Sequence, residues 1–341
     1  MGNTTIKILA KELNLSVASV SKALRDSHEI SNKTKQKVLA LAKKLNYIPN
    51  PYASSLRKRI SKTIAVVLPE VADSFFSLAI NGIESVAQDK GYHVLIYLTH
   101  ESFAREEAIL NEFKSGRVDG ILISVSAETI DSNHIKEVVA TGKPVVFFDR
   151  ICEDVETARV ITDDFESSYQ ATRHLLQQGC KKIAYLYTSA NLSINNKRME
   201  GYKKALTDND IKITAADIIL CDSDTEGNYN IIKKILGKKE KPDGIIACVE
   251  KLTTPVYLAC NELKLPIPGK IKVVSFTNLP AALILSPTLT TITQPAFEMG
   301  KMAASVLFKA LEKSNYNLKK EMVVIPSVLN IRQSTSGGGS V

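Results

Sequence analysis

Chemistry in this sequence begins with charge. The first sixty residues carry twelve lysines and arginines (Lys7, Lys11, Lys22, Arg25, Lys33, Lys35, Lys37, Lys43, Lys44, Arg57, Lys58 and Arg59) against three acids (Glu12, Asp26 and Glu29), a balance of +9. The whole 341-residue chain is +8, so everything after residue 60 is close to neutral, at −1. A strongly cationic segment joined to a neutral body is the footprint of a module that neutralises phosphate; a merely solvated surface would spread the excess along the chain. Enzymatic chemistry finds little footing. There is no G-x-S-x-G, P-loop or H-E-x-x-H, and no G-x-G-x-x-G opening a helix after a strand. The five histidines (His28, His93, His100, His134 and His174) are isolated and read as structural or surface residues rather than catalytic ones. Cys152, Cys180, Cys221, Cys248 and Cys260 show no C-x-x-C spacing and no histidine at ligand spacing, which predicts free thiols in a reducing cytosol. Neither a metal nor another cofactor is expected.

The cationic segment needs elements to aim it. Ile6 to Leu13 has the pattern of a short amphipathic helix, and Asn14-Leu15 suits a tight turn because Asn tolerates the left-handed backbone. In Ser16 to Leu24, Val20, Ala23 and Leu24 share one helical face, with Ser16 placed to cap the free N–H groups. Ser31 to Asn46 predicts a longer helix, capped by Ser31, with Val38, Leu41 and Leu45 pointing one way. Two short helices followed by a third make a helix-turn-helix, whose second helix fits the DNA major groove. Pro49 ends the third helix, Asn50 can cap another, and Pro51 suits its first turn. That last helix, about two turns long, is marginal alone and reads as a hinge that orders on DNA.

Thr5-Ile6-Lys7, Ala10, Leu15-Ser16-Val17, Val20-Ser21-Lys22-Ala23-Leu24, Tyr47-x-Pro49-Asn50 and Leu56 together resemble the DNA-binding head of the lactose-repressor (LacI/GalR) family. Ile8-Leu9 departs from it, since an Asp usually precedes the apolar residue there. The resemblance implies DNA contact through Thr5, Ser16, Val17, Ala18, Ser19, Ser21, Lys22, Asn50, Ala53 and Leu56. Base reading falls to Val17, Ala18 and Lys22, with Ser16 and Ser19 nearer the backbone. Lysine can donate to guanine O6 and N7, and Val17 and Ala18 can meet a thymine methyl, although both could equally serve helix packing. The family's leucine at the Leu56 position wedges into the minor groove and kinks the duplex.

From Thr63 onward, short apolar β-rich runs alternate with helical patterns: Thr63 to Leu68, His93 to Leu98, Gly120 to Ser124 and Pro144 to Phe148, then a second series from about Val160 that includes Lys182 to Leu186, Asp217 to Leu220, Gly244 to Ala247 and Lys272 to Phe276. Two such series predict two doubly wound α/β lobes, with ligands bound at the C-terminal strand ends. The fold class is therefore an all-α helix-turn-helix head with a hinge helix, followed by an α/β body of two doubly wound lobes, which the resemblance implies are like those of periplasmic binding proteins. The resemblance continues through Leu68-Pro69-Glu70, Phe75-Phe76, Gly116 to Ile121, Phe147 to Arg150, His174-Leu175, Arg198-x-x-Gly201-Tyr202, Pro287-x-Leu289-Thr290-Thr291, Gln294-Pro295 and Met299-Gly300. It implies a head over 1–50, a hinge and linker over 51–62, a first lobe over 63–161 plus 293–325, and a second over 162–292 plus 326–335. Three crossings, near 160, 277–293 and 325, would join the lobes, with 294–313 returning to the first.

By the same resemblance the cleft residues are Asp73, Phe75, Phe76, Asp149, Arg150, Arg198, Phe276 and Gln294. Aromatic faces against a sugar ring, with charged and amide groups aimed at hydroxyls, is how such pockets orient a ligand. The three phenylalanines could instead be lobe core, and Asp149-Arg150 an internal ion pair. Two departures weaken a plain sugar: Val249-Glu250 where relatives commonly have Asn-Asp, and Phe276-Thr277 where many have Phe-Asp. The expected partners are a double-stranded, pseudo-palindromic DNA operator, a small-molecule effector (a sugar, sugar phosphate or related metabolite) and a second copy of the chain. The alternative is a periplasmic-type sugar-binding protein without a transcriptional role, which would not need the basic head. No run of about 18 apolar residues predicts a membrane span and no secretory signal is read, so a cytoplasmic, non-membrane protein is expected. The polar tail over 336–341 shows no heptads, which favours a homodimer over a coiled-coil tetramer.

Overall fold

In the head, three helices fold around one small core. A computed structural model of the chain describes residues 5–47, 60–221, 224–313 and 315–336. The head helices are α1 (Ile6–Glu12), α2 (Val17–Leu24) and α3 (Asn32–Lys44). Ser16 Oγ accepts from Ser19 N at 3.0 Å, and Ser31 Oγ accepts from Thr34 N at 3.3 Å, so both serines cap as their positions predict. Asn14 makes the α1–α2 turn with a φ of 51°. Leu9, Ala10, Val20, Ala23, Val38 and Ala42 form the core, with Leu13, Leu15, Leu24 and Leu41 packed around it. Ala42, not Leu45, joins Val38 at the centre; its small side chain lets α3 come close. The predicted hinge, with Asn50, Ala53 and Leu56, lies outside the described residues.

Residues 62–341 form a second unit, built on two six-stranded sheets. The first sheet has the order β11-β5-β4-β3-β1-β2, all parallel, from β1 (Thr63–Leu68), β2 (His93–Leu98), β3 (Gly120–Ile123), β4 (Val145–Phe148), β5 (Ala158–Thr162) and β11 (Met322–Ile325). Helices α4 (Ser74–Asp89), α5 (Phe103–Phe113) and α6 (Asn133–Ala140) connect its strands. The second has the order β12-β10-β9-β8-β6-β7, from β6 (Ile183–Tyr187), β7 (Ile218–Leu220), β8 (Gly244–Ala247), β9 (Lys272–Phe276), β10 (Thr290–Thr293) and the antiparallel edge β12 (Val328–Asn330). Its helices are α7 (Asp164–Gln177), α8 (Ser193–Thr207), α9 (Thr225–Leu236) and α10 (Thr253–Glu262). Strands such as β3, β4 and β8 are buried at every position, as expected of parallel strands covered on both faces. Asp217 belongs to a turn rather than to β7, because its carboxylate accepts from Thr214 N at 2.9 Å and Thr214 Oγ1 at 2.6 Å and draws residues 215–217 into a 3-10 helix.

The chain leaves the first sheet after Thr162, returns after Thr293, and crosses again between Ile325 and Val328. The middle passage thus falls just after β10, while residues 277–293 stay with the second sheet. The return is α11 (Ala296–Glu312), which packs on α4 so closely that their backbones touch. A Cβ at Gly300 would sit 2.0 Å from the Ala79 carbonyl oxygen, and one at Gly82 2.0 Å from that of Phe297. Only glycine fits at such a crossing.

Candidate ligand cleft and nucleic-acid interface

The C-terminal ends of β1, β4, β8, β9 and β10 deliver side chains from both sheets to one cleft, as parallel sheets with their crossovers require. It encloses about 30 Å³ and is lined by Asp73, Phe75, Phe76, Asp149, Arg150, Ile194, Arg198, Val249, Glu250, Phe276, Thr277, Asn278 and Gln294. All eight residues expected in a cleft line this cavity. Phe75 and Phe76 also belong to the first lobe's core, and Phe276 to the second's, so the two readings of these rings coincide. A cavity this size is far below the roughly 300 Å³ of a typical small-molecule site, so a sugar-sized ligand enters only if the lobes part.

Two buried arginines organise the walls. Arg198, 2% exposed, donates from Nε to Asp164 at 2.7 Å and from Nη1 to the Cys248 carbonyl at 2.6 Å. Its guanidinium lies 4.2 Å from the Phe276 ring centroid, a cation–π contact. Arg150 donates from Nη1 to both carboxylate oxygens of Glu101, each at 2.9 Å. Asp149 is its weaker partner, with Nε to Oδ2 at 3.8 Å, so the expected internal pair exists but is secondary. Asp149 holds a left-handed backbone with φ 61°, which Asp tolerates better than most residues, and accepts from Gln294 Nε2 at 3.4 Å.

Glu250 bridges the lobes. Its carboxylate accepts from Thr277 Oγ1 at 2.5 Å and Asn278 N at 3.1 Å in the second lobe. Across the cleft it accepts from Ser74 N at 3.0 Å and from Ser74 Oγ. Ser74 opens α4, where unpaired N–H groups and the helix dipole favour a negative charge. Asp73 caps the same helix through Phe75 N at 2.8 Å. Burial, and then the neighbouring Glu250, push Asp73 up to about 6; burial does the same to Asp149. Ile194 and Asn278 were missed as walls, and Glu101 and Asp164 as the partners behind the arginines, whereas Val249, Glu250 and Thr277 were read only as departures that cost the cleft polar groups. Each missed residue follows the C-terminal end of a strand, Glu101 after β2, Asp164 after β5, Ile194 after β6 and Asn278 after β9, and that was the available signal, because parallel strands present such residues to ligands.

In the head, Ser16, Val17 and Ala18 are exposed at the start of α2, and Val17 is 42% exposed despite being apolar. Its surface position separates it from the helix-packing residues Val20 and Ala23. Lys22 pairs with Glu29 at the surface, an interaction cheap to exchange for another acceptor. Arg25 donates to Ser21, from Nε to the carbonyl at 3.1 Å and from Nη2 to the hydroxyl at 3.2 Å. Thr5 stands at the N-terminus of α1 with no side-chain cap bond, and Ser19 is half-buried beside Ser16. No helix among the described residues is long and apolar enough to cross a membrane.

Comparison with known proteins gives this geometry a lineage. The chain is 30% identical to the HTH-type transcriptional regulator RegA of Clostridium saccharobutylicum, over 94% of this chain and 98% of that one. It superposes on the lac repressor dimer bound to operator and the anti-inducer ONPF with a TM-score of 0.85 at 22% identity, covering 98% and 99% of the two chains, a likeness of fold. A LacI family transcriptional regulator from Enterococcus faecium with bound ribose matches at 26% identity and a TM-score of 0.72, over 81% of this chain and 100% of that one. Residues 5–50 match the model of bacterial regulatory proteins of the lacI family, and residues 61–332 match that of periplasmic binding proteins and the sugar binding domain of the same family. With both halves accounted for in their order, the chain belongs to the LacI family of bacterial regulators.

Proposed function

We propose that this DNA-binding transcriptional regulator of the LacI family is a cytoplasmic, non-enzymatic repressor that binds a pseudo-palindromic operator as a homodimer and is controlled by a sugar or sugar derivative in the cleft. The observation that carries the reading is the convergence of Asp73, Phe75, Phe76, Asp149, Arg150, Arg198, Phe276 and Gln294, from both lobes, on one cavity. Rings for a sugar face and charged groups for hydroxyls give fit and orientation. At the operator, Val17, Ala18 and Lys22 read base edges, while Thr5, Ser16, Ser19 and Ser21 hold the backbone. Asn50, Ala53 and Leu56 act from the hinge, with Leu56 as the minor-groove wedge. The effector works through its different affinity for the two lobe arrangements, and DNA for the same two, so each shifts the other reciprocally.

Operator binding by the full chain, measured with and without effector across a salt series, tests the reading. A +9 head making about 6–10 phosphate contacts loses roughly 10³–10⁵ in affinity between about 50 and 200 mM salt. Leu56→Ala weakens specific binding far more than non-specific binding; an equal loss in both removes the wedge. A shallow salt dependence, or affinity indifferent to every cleft ligand, overturns the function.

A further inference from the structure

The charge of the cleft narrows its ligand, given the effector role proposed above. Three carboxylates (Asp73, Asp149 and Glu250) and two cations (Arg150 and Arg198) line the cavity, with Glu70, Glu101, Asp164 and Lys251 as charged neighbours of that set, six carboxylates against three cations in all. The excess is three negative charges. The arginines are already neutralised within the protein, Arg150 by Glu101 and Arg198 by Asp164. Glu250 is satisfied by Ser74, Thr277 and the Asn278 N–H.

Asp73 and Asp149 differ from the rest. Among the described residues the Asp73 carboxylate accepts only from the Phe75 N–H, and Asp149 has a long contact to Gln294 and a distant one to Arg150. They interact with each other unfavourably, and burial lifts both toward neutrality. Asp73 is a carboxylate short of positive charge, and at Asp149 burial outweighs the neighbouring Arg150 and Arg198. A second, independent observation concerns donors: among the described residues Arg198 Nη2 is buried with no hydrogen-bond acceptor and Arg150 Nε faces Asp149 Oδ2 only at 3.8 Å, too far for a hydrogen bond, on side chains 2% and 8% exposed. Unused N–H groups call for oxygen acceptors of the hydroxyl kind. A phosphate would offer acceptors too, but would bring its own negative charge into a site with an uncompensated excess of the same sign.

We propose that the cleft takes a polyhydroxylated ligand bearing a protonated amine, its oxygens on Arg150 and Arg198 and its ammonium on Asp73 and Asp149, and that it rejects phosphorylated sugars. Asp73 sits at the α4 N-terminus beside the Glu250 bridge, so an ammonium there also relieves the repulsion between the two carboxylates and favours the closed cleft.

Thermal unfolding of the full chain against matched sets tests this: glucose, glucosamine and glucose 6-phosphate, with the galactose and mannose counterparts, at millimolar concentrations. The amine of at least one set binds about tenfold or more tighter than its neutral parent, and the phosphate does not bind. Asp73→Asn, which keeps a helix-capping acceptor, removes most of that preference. A neutral or phosphorylated member that equals or exceeds the amine overturns the ligand class, as does silence from every set. Val249→Phe, which fills the cavity, separates this from the underlying reading. If the shifts persist in that variant, the ligand binds elsewhere and the effector role of the cleft itself fails.

Discussion

Replacing Arg198 by methionine removes the most deeply buried cation of the second lobe while keeping much of its length. The structure supplies the cost. Asp164, itself 7% exposed, loses its 2.7 Å partner; the Cys248 carbonyl loses a 2.6 Å donor; and the Phe276 ring loses its cation. Breaking one side of a buried ion pair costs about 3–5 kcal/mol, most of it from stranding the other charge. For a body of this size that is a fall in Tm on the order of 10 °C. The loss depends on pH with a definite sign. Burial already raises the Asp164 carboxyl above its ordinary value, and without Arg198 it rises further. The folded protein then holds a proton that the unfolded chain has released, so stability falls as pH rises and the penalty is larger at pH 8 than at pH 5. Circular-dichroism melts at both pH values, on Arg198→Met, Asp164→Asn and the double variant, make the measurement. The double variant falls short of the sum of the singles by roughly 2 kcal/mol. A penalty below about 1 kcal/mol, or strict additivity, refutes the reasoning.

Three further predictions use other parts of the body. Gly300→Ala forces a Cβ to within 2.0 Å of the Ala79 carbonyl oxygen, so α11 must move off α4 at a cost of about 1–3 kcal/mol, seen as a lower denaturation midpoint. Glu250→Ala removes both bonds to Ser74, each about 1.5–3 kcal/mol for a charged acceptor, and lengthens the interlobe distance between spin labels placed on α4 and α10. Asp73, held at about 6, favours folding below pH 4 and loses that contribution as pH rises through 6. Asp73→Asn therefore flattens the stability profile between pH 4 and 6 and leaves the protein more stable at pH 7, on the order of 1–3 kcal/mol since Asp73 is only half-buried.

Much of this molecule is local and was therefore legible in the order of its residues. Ser16 and Ser31 cap because a hydroxyl one step before an apolar-periodic run meets free N–H groups, and Asn14 turns because its side chain tolerates a left-handed backbone. The strands were readable as short β-branched runs, and the eight cleft residues as positions at strand ends supported by a family resemblance. Pairing across the chain was not readable. Arg150 finds Glu101, 49 residues away, rather than the adjacent Asp149; Arg198 finds Asp164; and Glu250 reaches Ser74, 176 residues back and in the other lobe. Those choices depend on how strands order within each sheet and how two lobes face each other, which no periodicity encodes. For the same reason the substitution of Val249-Glu250 and Thr277 for the family's more usual polar residues read as a loss, yet in the folded body Glu250 and Thr277 share one hydrogen-bonded bridge. Residue types and local spacing determined the elements and the candidate site. The charges that are spent, and those that remain for a ligand, were decided only when the tertiary structure brought distant side chains together.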